Sequence, residues 1–545
     1  MSWNGGYNSR DFDQENGAKH SREEREEIHP DLVPLKNFLS QMKAHLKAQK
    51  MDKEEQGLMI SNVLKQTAGK EALLTKSDSY HLNGNVAQFL AQCTEPKVVA
   101  RFMQAFNLEK VIPSHKTMKI FEALVDAAMN FFRNPAEFES EDDEEASDVD
   151  YGAVFIRWLN SLALHVMDKI EIFLNEETLV MQRVLCMICG KRFVKSFADG
   201  VDSETLGIAS DLEKVRERYF HYLTKEADLE SLMRNPQARF VVALSVCLAA
   251  SMGMRKVFKR FLKLISGENA ESILLCEESF IVVDAILRNS STFDLQRKCS
   301  EKILEMADKV SETNPGIITG MIAGLKDKDE FVDLYEKLSG KFTLELLTKK
   351  AELASACLRF DMKQNDFLDK LYAQMKLKEP GEENFIFLVR HLGLFQVFKV
   401  ICNFKANQKV LKALDDLSSQ ELMNLACSSH VNLLEAIISS ERIGEKVKLK
   451  MLIKLTDKFQ NIAVDKFGSR LMDAVIIQCQ VKTLRVVAGE LVKHKKTLLG
   501  DRIGKFVFLH WGLKYFEDNN KEAWDNVISH SKNRKRQKLL SLLSL

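Results

Sequence analysis

Proline, glycine and paired cysteine are scarce in this sequence. Eight prolines and 24 glycines among 545 residues exclude collagen-like and Pro/Gly-rich disordered classes. The ten cysteines are scattered, and most lie in apolar runs, such as Cys247, Cys402 and Cys479. That is the usage of a reduced protein whose thiols fill core space. Cys186 and Cys189 form a CxxC, but it lies inside LVMQRVLCMICGKRF with no second pair to complete a tetrahedral zinc site, so core packing is expected. No two of the twelve histidines fall three or four residues apart. The phosphate-loop, dinucleotide and nucleophile-elbow motifs GxxxxGK[ST], GxGxxG and GxSxG are missing. The sequence therefore points to no enzyme, no metal and no cofactor. The longest uncharged run, Phe240 to Met254, has fifteen residues, short of the roughly 20 a membrane span needs. The polar start of the chain gives no sign of a signal peptide. No window alternates with period two between turn residues, so almost no sheet is expected.

Excess charge is missing too, until it is mapped. The net charge is +1. Residues 137–150 carry nine acids and no base, so the remainder nets +10. Residues 441–545 hold 22 Lys/Arg against 11 Asp/Glu, which concentrates positive field in the last fifth of the chain. The acidic run reads as a solvated insertion.

What is abundant is helical pattern. In KFGSRLMDAVIIQC, Leu471, Met472, Val475 and Ile476 follow the i, i+1, i+4, i+5 rule of a buried stripe. Ser469, Arg470 and Asp473 fall together on another face. Thirty-six residues later, RIGKFVFLHW offers Lys505, Phe506 and Leu509 at the same places. Similar phrases begin at HLNGNVAQFLAQC, SHKTMKIFEAL, NPQARFVVAL, EESFIVVDAIL, NPGIITGMIAGL, HLGLFQVFKVIC and SSHVNLLEAII. Taking Gly393, His430, Gly468 and Gly504 as equivalent gives spacings of 37, 38 and 36 residues. Self-similarity at this period predicts an all-α solenoid of about eleven units. The expected order is a disordered tail (1–27), N-terminal repeats (28–136), the acidic insertion (137–150) and middle repeats with insertions (151–340). C-terminal repeats (341–520) and a basic tail (521–545) follow. In that tail Lys532, Arg534, Lys535, Arg536 and Lys538 form a cluster suited to nuclear import or RNA contact.

Several helical repeats share this period, HEAT and armadillo units among them. The loop–Gly–x–x–apolar–apolar start resembles the Pumilio (Puf) repeat. The order SSHVNLLEAI, KFGSRLMDAV, RIGKFVFLHWGLKYF and a basic tail is similar to the C-terminal end of the nucleolar protein nine family. NPQARFVVAL is similar to its mid-chain repeat start. The resemblance implies a right-handed, C-shaped, non-catalytic array that binds pre-ribosomal RNA. It also implies action in 18S rRNA maturation and small-subunit assembly, in the nucleus and nucleolus. The implied partners are pre-rRNA and small-subunit assembly factors; no membrane is involved, and the protein is a monomer.

In Puf repeats three side chains at i, i+1 and i+4 of one helix read bases. The outer two hydrogen-bond a base edge and the middle one stacks. Carried onto this chain, the resemblance places them at Asn85, Val86 and Phe89; at Met118, Lys119 and Glu122; and at Arg239, Phe240 and Ala243. Further along they are Phe280, Ile281 and Asp284; Leu394, Phe395 and Phe398; Val431, Asn432 and Glu435; Ser469, Arg470 and Asp473; and Lys505, Phe506 and Leu509. The set Ser469–Arg470–Asp473 comes nearest to a working reader, with a hydroxyl and a carboxylate for a guanine edge. Phe240 and Phe506 are candidates for stacking. Leu394, Phe395 and Phe398 read as core or partner contact. Backbone charge in the C-terminal repeats is expected to carry most of the affinity. The rival expectation is a HEAT- or armadillo-like scaffold that binds proteins.

Overall fold

A computed structural model of the chain describes residues 29–48, 53–76, 79–106, 117–135, 149–175, 178–192, 204–290 and 296–543. The expected disordered tail, and all but the last two residues of the acidic insertion, lie outside them. Helices and turns account for the described residues, and no strand occurs among them. None of the described helices is long and apolar enough to cross a membrane. The chain forms two compact units that part after Ile317.

The repeating piece is clearest between Phe459 and Lys493. A short helix (Phe459–Val464) leads through a turn into a second (Gly468–Gln478), and a third follows (Val481–Lys493). The second helix buries Leu471, Met472, Val475 and Ile476, each 2% exposed or less. Burial of each such side chain is worth about 1.5–3 kcal/mol. A single unit has no partner for that stripe, so second helices stack side by side. In the second unit α7 (Glu352–Phe360), α8 (Phe395–Ile401), α9 (Val431–Ser439), α10 (Gly468–Gln478) and α11 (Arg502–His510) pack each on the next. In the first unit the same row is α1 (Val33–Ala48), α2 (Tyr80–Leu90), α3 (Met118–Arg133), α4 (Thr178–Ile188), α5 (Ala238–Ser251) and α6 (Phe280–Asn289). We call each row a wall.

One turn device recurs ahead of the wall helices. Asp465 Oδ1 accepts the backbone N–H groups of Phe467 and Gly468 at 2.7 and 2.8 Å. Asp501 does the same for Ile503 and Gly504, and Asn235 for Gln237 and Ala238. Each carboxylate or amide oxygen thereby occupies donors that a helix start leaves open. The glycines have a different cause. A Cβ on Gly468 would strike the Ile462 carbonyl, and one on Gly504 would lie 2.8 Å from the Leu498 carbonyl oxygen, so wall helix and preceding helix are in backbone contact there. Gly393 is not their equivalent. It turns the chain at φ +66° with open space around it, and α8 starts two residues later.

The weak periodicity of 340–376 has a structural counterpart. Lys350, Ala351, Asp361 and Lys363 take left-handed φ values of 51–58° on either side of α7, so this repeat is joined to its flanks unlike the others. The segment read as a basic tail is helical: α12 (Lys521–Leu543) packs on α10 and α11. Trp524, 2% exposed, donates its indole N–H to the Trp511 carbonyl at 2.9 Å. Lys532 is committed to the fold, since its ammonium donates to the Cys479 carbonyl at the end of α10 at 2.9 Å.

Two glycine substitutions separate these causes. Gly468→Ala is expected to destabilise by about 1–3 kcal/mol through overpacking. Gly500→Ala, with nothing within 4 Å of its Cβ, is expected to stabilise by about 0.4–1 kcal/mol by restricting the unfolded chain. Urea denaturation midpoints of the two variants check both signs.

Candidate nucleic-acid interface

The frame of each wall helix is set by its buried pair. In α10 the exposed or half-buried Ser469 and Arg470 precede buried Leu471 and Met472, and half-buried Asp473 follows. Lys505–Phe506–Leu509 on α11 follows the same order. Met118–Lys119–Glu122 on α3, Arg239–Phe240–Ala243 on α5, Phe280–Ile281–Asp284 on α6 and Val431–Asn432–Glu435 on α9 also flank a buried pair, but Met118, Ala243, Asp284 and Val431 are themselves buried. Two expected frames are off by one residue. Val86 and Phe89 are buried, 0% and 2% exposed, so Asn85 is the middle member of Gly84–Asn85–Gln88. Phe398 is fully buried, so the α8 set is Phe395–Gln396–Lys399. Two sets were missed. They are marked by Leu179 and Gln182 on α4 and by Glu352 and Ser355 on α7, each flanking a buried apolar pair (Val180–Met181 and Leu353–Ala354). That pair was the signal available in the sequence, and a search hung on glycine passes over it.

The structure then gives most of these side chains partners within the protein. Arg470 donates to Glu435 of the preceding wall helix at 3.0 Å, and Asp473 faces His510 of the next at 3.5 Å. Ser469 donates its hydroxyl to the Lys466 carbonyl at 3.1 Å. On the first wall, Arg183 of α4 pairs with Glu122 at 3.0 Å and with Asp126 at 3.2 Å. Arg288 closes on Asp284 within α6 at 2.9 Å. Asn85 accepts from Lys43 and donates to Ser40, both on α1. Arg239 reaches the Glu278 carbonyl at 3.3 Å and lies 5.3 Å from the Phe240 ring centroid.

Three carboxylates that were candidate base readers, Glu122, Asp284 and Glu435, thus sit against guanidinium groups that offset their charge, and Asp473 lies beside the His510 ring. Asn432 is the exception in α9: its amide oxygen is shielded from solvent and accepts no hydrogen bond. At the α11 end Lys505 is exposed, and Phe506 and Leu509 are 62% and 60% exposed. They line a recess of about 610 Å³ together with Leu499, Gly500, Asp501 and Arg502.

Cys186 and Cys189 lie in or just beyond α4 and are 3% and 0% exposed. Burial pushes the Cys189 thiol up to about 12, against the opposing pull of Arg216 and Lys191, and it raises Cys186 further. Such thiols are poor nucleophiles. No cluster of three or more His, Cys, Asp or Glu suited to a metal occurs among the described residues.

Stacked helices that offer side chains at i, i+1 and i+4 ahead of and behind a buried pair make this a Puf-repeat protein. A family model described as "NOP9-like PUF repeat domain" matches residues 212–506, more than half of the chain, and the chain belongs to that family. Among curated proteins, nucleolar protein 9 of Homo sapiens is 29% identical over 128 residues, 23% of this chain and 20% of that protein. Nucleolar protein 9 of Mus musculus is 30% identical over 130 residues, again 23% and 20%. The matched stretch thus spans about a fifth of the length of these relatives. Solved structures of APUM23–GGAAUUGACGG superpose with a TM-score of 0.60 at 15% identity, covering 93% of this chain and 100% of that one. APUM23–GGAUUUGACGG gives 0.59 at 14%, with the same coverage. These likenesses establish the fold and set aside a HEAT or armadillo array.

The Arg470–Glu435 pair allows a local check. Arg470 is 55% exposed, so a Glu435→Gln/Arg470→Gln double-mutant cycle is expected to return a coupling below about 1 kcal/mol. A coupling above about 2 kcal/mol in urea unfolding would make this pair a structural clamp rather than part of a reading surface.

Proposed function

We propose that this chain binds RNA along the walls, most strongly across α8 to α11. The observation that carries this reading is the arrangement on three of these helices. Lys399, Arg470, Lys505 and Phe506 are exposed there, while Glu435 beside them pairs with Arg470 and Asp473 lies against the His510 ring. Cations attract phosphates without regard to sequence. An exposed ring such as Phe506 offers a stacking platform for a base. Because Ser469, Arg470 and Asp473 already have protein partners, direct base reading there requires exchange of those contacts. Asn432, whose amide oxygen accepts no hydrogen bond within the protein, is a further candidate for a base-edge contact once that shielded oxygen is uncovered. In the first unit Asn85, Lys119, Glu122, Arg239 and Phe240 hold the corresponding positions.

Membership of the NOP9-like family, the names of the nucleolar relatives and the uracil-containing strands in the APUM23 complexes support a more specific assignment. The chain acts, without catalysis, in small-subunit assembly and 18S rRNA maturation in the nucleolus. It works there as a monomer, with pre-ribosomal RNA and small-subunit assembly factors as partners.

Anisotropy titrations with a uridine-containing single strand test this reading. Log K is expected to fall with log[salt] at a slope of about −0.7 per phosphate contacted. Arg470→Ala combined with Lys505→Ala is expected to weaken binding by roughly 1–3 kcal/mol. Unchanged affinity and a flat salt response would overturn the assignment.

A further inference from the structure

The helix Arg255–Ser266 follows wall helix α5 and lies behind it. Its sequence, RKVFKRFLKLIS, separates into two faces, with half-buried Leu264 at their border. Val257, Phe258, Phe261, Leu262 and Ile265 are buried, at most 9% exposed, on a helix that packs against α5, α6 and three neighbouring helices. Arg255, Lys256, Lys259, Arg260 and Lys263 are exposed on the other face, which therefore points away from the wall. No acid lies in this helix. Among the described residues none of these five cations enters an ion pair or a side-chain hydrogen bond. Outer helices of the second unit differ: Lys409, Lys450, Arg485 and Lys493 each pair with a carboxylate at 2.6–3.9 Å.

A basic amphipathic helix commonly docks on a membrane or a partner groove through its apolar face. Here that face is already used by the fold, which excludes both. The exposed face has no large apolar side chain, so it lacks the desolvated anchor around which protein interfaces are built. It also lacks an aromatic ring for stacking unpaired bases. What remains is a row of point charges. Arg255, Lys259 and Lys263 recur every four residues, about 6 Å apart along the axis at 1.5 Å per residue, and Lys256 and Arg260 run beside them. We infer that this face is a second RNA-binding surface, separate from the wall, that holds the phosphate backbone of base-paired RNA without reading its sequence.

The test uses the full chain with three probes: an RNA duplex of about 16 base pairs, an unstructured single strand of equal length, and polyglutamate. The variant replaces all five cations by glutamine (R255Q/K256Q/K259Q/R260Q/K263Q). Duplex affinity is expected to drop about tenfold or more near 0.1 M salt. The log K–log[salt] slope should become shallower by about 0.9 for each contact removed. Single-strand affinity should hold. Should the variant melt earlier than the parent, K259Q/R260Q takes its place, since both side chains are exposed. Unchanged duplex affinity, or an equal loss on both RNAs, overturns the inference. A larger loss on polyglutamate than on duplex also overturns it, in favour of an acidic protein. The wall variant Arg470→Ala/Lys505→Ala should show the reverse pattern, losing the single strand and keeping the duplex. Its failure would count against the proposed wall function alone.

Discussion

The structure depends on one constraint: a wall helix cannot bury its apolar pair within its own repeat. Leu471 and Met472 of α10 are sealed because α9 and α11 stand on either side of it. The same need recurs at every step of each unit. On α10 it fixes which side is open, since the buried pair Leu471–Met472 leaves Ser469, Arg470 and Asp473 at least partly exposed. The functional surface is in this sense a by-product of packing. No helix has to be steered toward a ligand; stacking alone brings Glu435, Arg470, Asp473 and His510 into one line.

That line explains how a chain with almost no net charge can carry an RNA-compatible surface. Exposed ion pairs contribute little to stability, typically about 0–1 kcal/mol. Their effect here is on the field. A carboxylate paired with a guanidinium presents little net negative charge to an approaching phosphate. Cations in excess of the pairs, such as Lys399 and Lys505, then set the sign of the surface. Regular Puf readers need free polar outer positions. In this chain several of those positions are occupied by neighbours.

The helical class, the repeat period and the stripe on α10 were all legible in the sequence, because periodicity reports burial directly. The buried pairs of α3, α5, α6, α9, α10 and α11 were legible for the same reason. Those of α2 and α8 were not, because the glycine used to align them does not hold the place that Gly468 holds at the start of α10. Gly84 lies inside α2, and Gly393 belongs to a left-handed turn before α8. The sets on α4 and α7 were lost where flanking segments depart from the common pattern, as the left-handed residues around α7 do. Pairing across repeats, such as Arg470 with Glu435, lies beyond any local pattern: 35 residues separate the two in sequence.

The contrast between turn glycine and buried pair bears on which length changes the chain tolerates. A residue inserted in a loop ahead of a wall helix is absorbed there, as the unequal spacings of 36 to 38 residues already attest. A residue inserted within the helix rotates everything beyond it by about 100°, exchanging lining for exterior. Insertions and deletions should therefore accumulate at the junctions between repeats and be purged from wall interiors. The array can thus lengthen its connections over evolutionary time while its inner lining stays in phase.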